Sequence, residues 1–400
     1  MSGKEQLWHV GESNYTPEVR TGMNLPKRVY VFDETLREGE ETPGVNMTIQ
    51  DKVEIARLLE EIGVTELNVG YMGYIAEHAE AAKAIKKACP KIKLTGYIRA
   101  HGSAKVDDAL AVARDAGVDK VDVNIPGSDY QFAVKDLTKG LVIDISAEAI
   151  GKAKNKGFEV TYGPYDTTRI ELNFLKTLLK AGEAAGASRI RAYDTLGVLN
   201  PPATRWWVSE LVKAVSIPIQ YHCHDDFGMS VANTCAAVEG GAEVVDLVVN
   251  GLGDRAGNTS FEETVLALEC LYNVDTGIDL SALCKLSKLV EKISGIPVPP
   301  NKAVVGKNTF IHEADIHVQA ILSGRWYTFE PYHPSVVGQE RIVYFGSTTS
   351  SDSVEMKAKQ MGVCLSQAQV AAALEKIQVI VKGKTYATEQ EVSEIINKIK

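Results

Sequence analysis

The sequence predicts a (β/α)8 barrel followed by a mainly helical C-terminal appendage, and three observations point there. From residue 28 onward, short β-branched runs alternate with amphipathic helical stretches, eight times in about 250 residues. Several of the helical stretches end in the glycine expected just past a helix C-terminus, namely Gly63, Gly117, Gly157 and Gly186. The chemically active residues gather at the C-terminal ends of the runs, which in a barrel share one face.

In order, the strand runs read RVYVFD, TELNVG, IKLTGYI, VDKVDVNI, GFEVTYG, SRIRAYD, IPIQYHCHD and EVVDLVVNG. Stretches such as IQDKVEIARLLEEIG and NFLKTLLKAGEAAGA repeat apolar residues at helical spacing between them. No glycine-rich phosphate turn follows the first run, which argues against a doubly wound open sheet. We divide the chain into an N-terminal extension (1–27), the barrel (28–278), a linker and lid (279–345) and a C-terminal helical subdomain (346–400). The helix LSALCKLSKLVEKISG and the proline-rich IPVPP mark the change of pattern.

Composition narrows the partners. A net charge of −9 argues against nucleic acid and anionic membranes, though a locally basic pocket for an anionic small molecule remains compatible with it. No apolar stretch is long enough for a membrane span, and the first twenty residues lack a signal-peptide core. The six cysteines are scattered without a CxxC pair, so reduced thiols and a cytoplasmic location are expected.

Three segments carry chemistry. In IPIQYHCHDDFGMS the alternation of a strand turns Gln220, His222 and His224 to the barrel interior, with Ile219, Tyr221 and Cys223 facing the helices. Two imidazoles on one face either hydrogen-bond in a core or make half of a metal site; the acidic pair and glycine that follow favour the metal. FDETLREGEE sets five carboxylates around Arg37 at the end of the first run, on the same predicted face. A carboxylate beside two imidazoles suits Mn, Co, Zn or Mg, and an arginine there can neutralise a substrate carboxylate or an alkoxide. NGLGDRAGNTS follows the eighth run; its glycines permit tight bends and Asn258 offers another oxygen, but alone it also reads as a plain turn.

Together these segments resemble the family of isopropylmalate, homocitrate and citramalate synthases, related to 3-hydroxy-3-methylglutaryl-CoA lyase. LREGEE with Lys52 beyond it, HCHDDFGMSVA, NGLGDRAGN and NKAVVGKNTFIHEADIH are similar to the family's signatures and stand in its order, across residues 28–345. The resemblance implies a divalent metal held by Glu38, His222 and His224, with Asn258 as fourth ligand. It implies Arg37 over the oxo acid's carbonyl, Thr195 on its carboxylate, and His317 as catalytic histidine reaching in from the partner subunit of a homodimer, with His312 as helper. Asp33 orients the loop. The implied reaction condenses an acyl-CoA with a 2-oxo acid in amino-acid biosynthesis.

The chain also departs from the pattern. Glu41 stands for the family's glutamine, Tyr165 for a glutamate, and Phe329 for a tyrosine. The arginine and serine with which homocitrate synthases hold a distal carboxylate are Thr161 and Gly163, which cannot form that clamp. Poor use of 2-oxoglutarate and better use of a smaller or less charged oxo acid are therefore expected, with Arg99 and His101 as possible compensating groups. A lyase or aldolase is the rival function, but the lyases' loop cysteine is missing from GLGDRAGN and they lack the appendage. A binding-only role would require loss of the metal trio. A further regulatory domain finds no room, so feedback through one is not expected.

Overall fold

A computed structural model describes residues 7–101 and 105–400. Eight parallel strands close a barrel in chain order. They are β1 (Tyr30–Asp33), β2 (Glu66–Tyr71), β3 (Lys93–Arg99), β4 (Lys120–Pro126), β5 (Glu159–Tyr165), β6 (Arg189–Asp194), β7 (Ile219–Cys223) and β8 (Val244–Leu247). Each falls on one of the predicted runs, with β2, β3 and β4 continuing one residue past the run and β5 two. The ring closes where β1 pairs with β8, Tyr30 opposite Val244 and Asp33 opposite Leu247.

Period-two alternation sorts the side chains. One parity of each strand is apolar and buried, for example Leu67 and Val69, Val121 and Val123, or Tyr221 and Cys223. The helices cover these residues with their own apolar stripe. Ile49–Glu61 starts at a capping box in which Thr48 and Asp51 satisfy each other's backbone amides, buries Val53, Ile55, Ala56, Leu58 and Leu59, and is followed by Gly63 at φ 106. Leu172–Ala185 buries Leu175, Leu178 and Leu179 and ends on Gly186 at φ 110. At Gly182 this helix comes so close to β5 that a Cβ would lie only 2.3 Å from Tyr162 Cδ1. The expected glycine terminators Gly117 and Gly157 likewise take positive φ.

The other parity fills the barrel with polar and charged side chains, where branched apolar residues are usual. Toward the N-terminal ends, Lys120 and Arg189 bind the two Glu66 oxygens, Arg189 also reaching Gln220. Above them, Arg191 is 0% exposed and bonded to Glu34, Asp122 and Asp246 at 2.5–2.9 Å. Burying such ions contributes little net stability, but removing one partner costs about 3–5 kcal/mol. Their value here is fixed geometry beneath the C-terminal face.

The chain divides into two compact units, Ser13–Pro297, which holds the barrel, and Val298–Lys400 with residues 7–12. The second unit contains a three-stranded sheet, Ala387–Thr388, Ile342–Phe345 and Ile311–His312 in that order. Helices Asp315–Leu322, Ser351–Gln360, Gln367–Lys384 and Glu389–Ile399 pack Val318, Val354, Val370, Ile377, Val392 and Ile396 around Phe345. Capping boxes at Ser366 and Thr388 start the last two helices. No helix among the described residues is long and apolar enough to cross a membrane.

Candidate metal centre and active-site cavity

The loop after β1 is set by Asp33. Its carboxylate accepts the Thr35 backbone N–H at 3.0 Å and the Thr35 hydroxyl at 2.9 Å, turning the chain so that Glu34, Arg37 and Glu38 point into the barrel mouth. The burial of Asp33 pushes its carboxyl up to about 8. Arg37 is nearly fully buried. It donates to Glu34 Oε2 at 2.9 Å and to the Tyr97 hydroxyl at 3.1 Å, and pairs with Glu38 Oε1 at 2.5 Å. Despite burial, Glu34 and Glu38 hold its guanidinium firmly charged.

At the end of β7 the two imidazoles meet this loop. Glu38, His222 and His224 are all buried, and one ligand atom from each lies within 4.8 Å of the others. His222 Nδ1 lies 3.1 Å from Asp246 Oδ2, which leaves Nε2 turned toward Glu38 at 3.6 Å. A carboxylate behind an imidazole is how proteins orient a metal-binding histidine. Burial and then Arg191 hold His222 far below the ordinary imidazole range, and burial, then Arg255, pushes His224 down to about 4. Both rings are therefore neutral near pH 7, the form that binds metal. Two buried atoms, Glu38 Oε2 and His224 Nδ1, have no hydrogen-bond partner among the described residues. Such orphans are costly unless a further group satisfies them, and a divalent cation fits this donor set.

Asn258 adjoins the trio. Its Oδ1 accepts the Thr259 N–H at 3.0 Å, so the amide as placed turns Nδ2, not oxygen, toward His222 Nε2 at 3.4 Å. Thr195 Oγ1 accepts the Asp166 backbone N–H at 2.9 Å and keeps its own proton free to donate.

These residues open into a cavity of about 540 Å³, which Arg37, Glu38, His222, His224 and Thr195 share with Arg99, His101, Tyr71, Tyr97, Tyr165 and Tyr193. Arg99 lies over the rings of Tyr71 and Tyr74 at 4.5 and 4.7 Å. Glu41 accepts from the Tyr71 hydroxyl at 3.2 Å and stands 3.7 Å from Arg37. Tyr165, held by burial up to about 12, stays a phenol.

His312 and His317 belong to the second unit. The spacing alone suggests one helix with the pair one and a half turns apart; instead His312 sits on the short strand Ile311–His312 and only His317 is helical, and the rings lie 5.8 Å apart. His312 Nε2 is 2.9 Å from Glu330 Oε1, and Arg341 binds both Glu330 oxygens. Although burial works against it, those bonds keep Glu330 ionised below the ordinary carboxylate range. His317 stacks on Phe329, ring centroids 3.9 Å apart.

Sequence reading missed the layer that closes on Glu34 beneath the trio: Tyr97, Asp122, Arg191, Tyr193 and Asp246. The signal was present, because Asp122, Arg191, Tyr193 and Asp246 share the inward parity of His222 in their own runs.

A family model described as HMGL-like matches residues 28–290. A second, described as homocitrate synthase post-HMGL domain-like, matches residues 304–385. The homocitrate synthase of Methanopyrus kandleri is 38% identical over 389 residues, 97% of this chain and 96% of its own length. The 2-isopropylmalate synthase of Methanocaldococcus jannaschii is 39% identical over 353 residues, 88% of this chain and 67% of its own. The hydroxymethylglutaryl-CoA lyase of Pseudomonas aeruginosa, 21% identical, superposes with a TM-score of 0.62 over 69% of this chain and 96% of its own, a likeness of fold.

Proposed function

The chain belongs to the HMGL-like family, alongside homocitrate and 2-isopropylmalate synthases, and from that premise we propose that it condenses an acyl-CoA, acetyl-CoA foremost, with a 2-oxo acid. The products are a 2-hydroxy-2-alkyl dicarboxylic acid and CoA. The observation that carries this reading is the buried Glu38, His222 and His224 cluster beside Arg37 in one cavity. The matched segment 304–385 supports a synthase over a lyase.

Glu38, His222 and His224 hold a divalent cation, with Asn258 joining once its amide turns. A cation held there would supply Lewis acidity at the keto group of the oxo acid. Thr195 donates its hydroxyl proton to the oxo acid's carboxylate. His317, kept below the ordinary imidazole range by burial and then by His312, is neutral near pH 7 and takes a proton from the acyl methyl group. The resulting enolate carbon attacks the keto carbon, and the C=O electron pair moves to oxygen as an alkoxide. Arg37, charged and prearranged, stabilises that oxygen. Water then cleaves the thioester, releasing CoA. His312, anchored by Glu330, positions His317. Arg99 and His101 face the remainder of the oxo acid. The enzyme works as a homodimer in which His317 serves the neighbouring barrel, and it resides in the cytoplasm, as six cysteines outside any disulfide, five of them buried, support.

The test is release of free thiol from acetyl-CoA with a panel of 2-oxo acids, before and after chelation. Turnover with at least one oxo acid, abolished by chelator and restored by Mn, Co, Zn or Mg, is expected. Full activity in a verified metal-free preparation overturns the metal assignment, and no thiol release with any oxo acid overturns the reaction.

A further inference from the structure

Tyr193 stands in the cavity wall beside the metal trio. Its ring centroid is 5.1 Å from that of His222, and Thr195 follows two residues later on the same side of the chain. The ring occupies space that belongs to the neighbouring strand. A Cβ built on Gly163 would lie 2.5 Å from Tyr193 Cε2 and 3.1 Å from its hydroxyl oxygen. Gly163 has no need of special backbone freedom, since it is an ordinary β5 residue paired with Asn124. Its lack of a side chain is what makes room for the ring.

Tyr193 is also held too firmly to act as a flap. Its hydroxyl shares a hydrogen bond with the Tyr97 hydroxyl, donates to Asp122 Oδ2 at 3.2 Å and accepts from Asn124 Nδ2 at 3.4 Å. Arg191 lies 4.7 Å from its ring centre, and the Thr167 hydroxyl binds its backbone carbonyl at 2.7 Å. Only 4% of the residue is exposed. A side chain fixed at both ends and along its face is a wall, preorganised before substrate arrives.

We infer that the Gly163–Tyr193 pair sets the length limit of the oxo acid's side chain. Resting on the condensation reading above, this assigns the substrate class: 2-oxo acids with short, unbranched side chains. An oxo acid anchored at Thr195 and at the trio must project its remaining carbons into a cavity narrowed by this ring. Longer or branched chains meet Tyr193, whose network leaves it no lower-energy position.

The experiment compares kcat/KM for pyruvate, 2-oxobutyrate, 2-oxoisovalerate and 2-oxoglutarate in the parent enzyme, Tyr193→Phe and Tyr193→Ala. The parent should favour the two short acids. Removing the ring should move the ratio of long to short acids by about 10–200-fold, the range that one methylene's worth of pocket space commands. Tyr193→Phe keeps the ring and should keep the parent's order of preference, whatever it does to rate. If Tyr193→Ala does not fold, the double variant Gly163→Ser/Tyr193→Ala refills part of the void and carries the same readout. Gly163→Ser alone should unfold at lower temperature than that double variant, a coupling that needs no activity to measure. An unchanged preference in folded Tyr193→Ala or in the double variant overturns the inference, as does a parent that prefers 2-oxoisovalerate or 2-oxoglutarate. Absence of thiol release with every acid in the parent overturns the condensation reading itself, and this inference with it.

Discussion

At the residue scale, the trio owes its form to a neighbour that never enters the cavity. Asp246 sits behind His222, and the same carboxylate binds Arg191 and Gln220. It thus fixes which imidazole nitrogen faces Glu38 and ties that choice to the buried ion network. Asp246→Asn keeps the shape but offers only one oxygen and no charge. Metal affinity should fall about 10–100-fold, as for other outer partners of metal ligands. A competition titration with a chromophoric chelator reads this directly, and unchanged affinity would mean that His222 is oriented by something else. Asp33 plays its expected part in shaping the loop, through the bonds to Thr35, and the carboxylate of the FDETLREGEE segment that reaches the imidazoles is Glu38.

At the element scale, helices are started and stopped by identifiable residues. Thr48→Ala removes the side chain that accepts the Asp51 N–H, and should cost about 1 kcal/mol. Gly182→Ala drives a methyl group into the Tyr162 ring, at an expected cost of about 1–3 kcal/mol. Urea midpoints of the two variants should therefore fall in that order, and an unaffected Gly182→Ala would show that the helix can slide on β5. The strands were legible because each is a β-branched run with a turn after it. His222 and His224 were legible because they repeat at the strand period, whereas the choice of Glu38 among the five carboxylates of its loop came from the family resemblance. What eluded sequence reading was pairing across distance. Asp122, Arg191 and Asp246 are about seventy and fifty-five residues apart, and nothing local says that a ring closure brings three strands to one point. His312 was misplaced for a local reason: Asn308 and Phe310 supply backbone partners that hold Ile311–His312 extended beside Ile342–Val343, and the helix begins only at Asp315.

At the scale of the whole molecule, the second unit matters for what His317 is proposed to do. Its stacking on Phe329, beside a His312 anchored by Glu330 and Arg341, holds the His317 ring at a defined point. If that point is the neighbouring subunit's barrel, His317→Ala and Glu38→Ala chains, each inactive alone, should regain activity when mixed, because some heterodimers carry one site with both residues intact. Mutants that stay inactive after confirmed subunit exchange would place His317 in service to its own barrel.

The charged interior of the barrel has one more consequence. Around Arg37 and Arg191 lie four buried carboxylates, Glu34, Glu38, Asp122 and Asp246, so among the described residues two negative charges have no buried guanidinium to answer them. Burial raises Glu38, against the pull of Arg37, and lifts Asp122 to about 6 against Arg191. Such a carboxyl can offset the imbalance by holding a proton, whereas His224, pushed down to about 4, stays neutral above that. A carboxyl raised in this way holds its proton below its own folded value and gives it up above. Loading a dication therefore amounts to ion exchange: protons leave as the metal enters, more of them the lower the pH, and fewer as the solution passes well above 6. Calorimetric metal titrations in two buffers of different ionisation enthalpy should show this release growing between pH 8 and pH 5. A heat independent of buffer across that range would mean that the barrel carries its unbalanced charge bare.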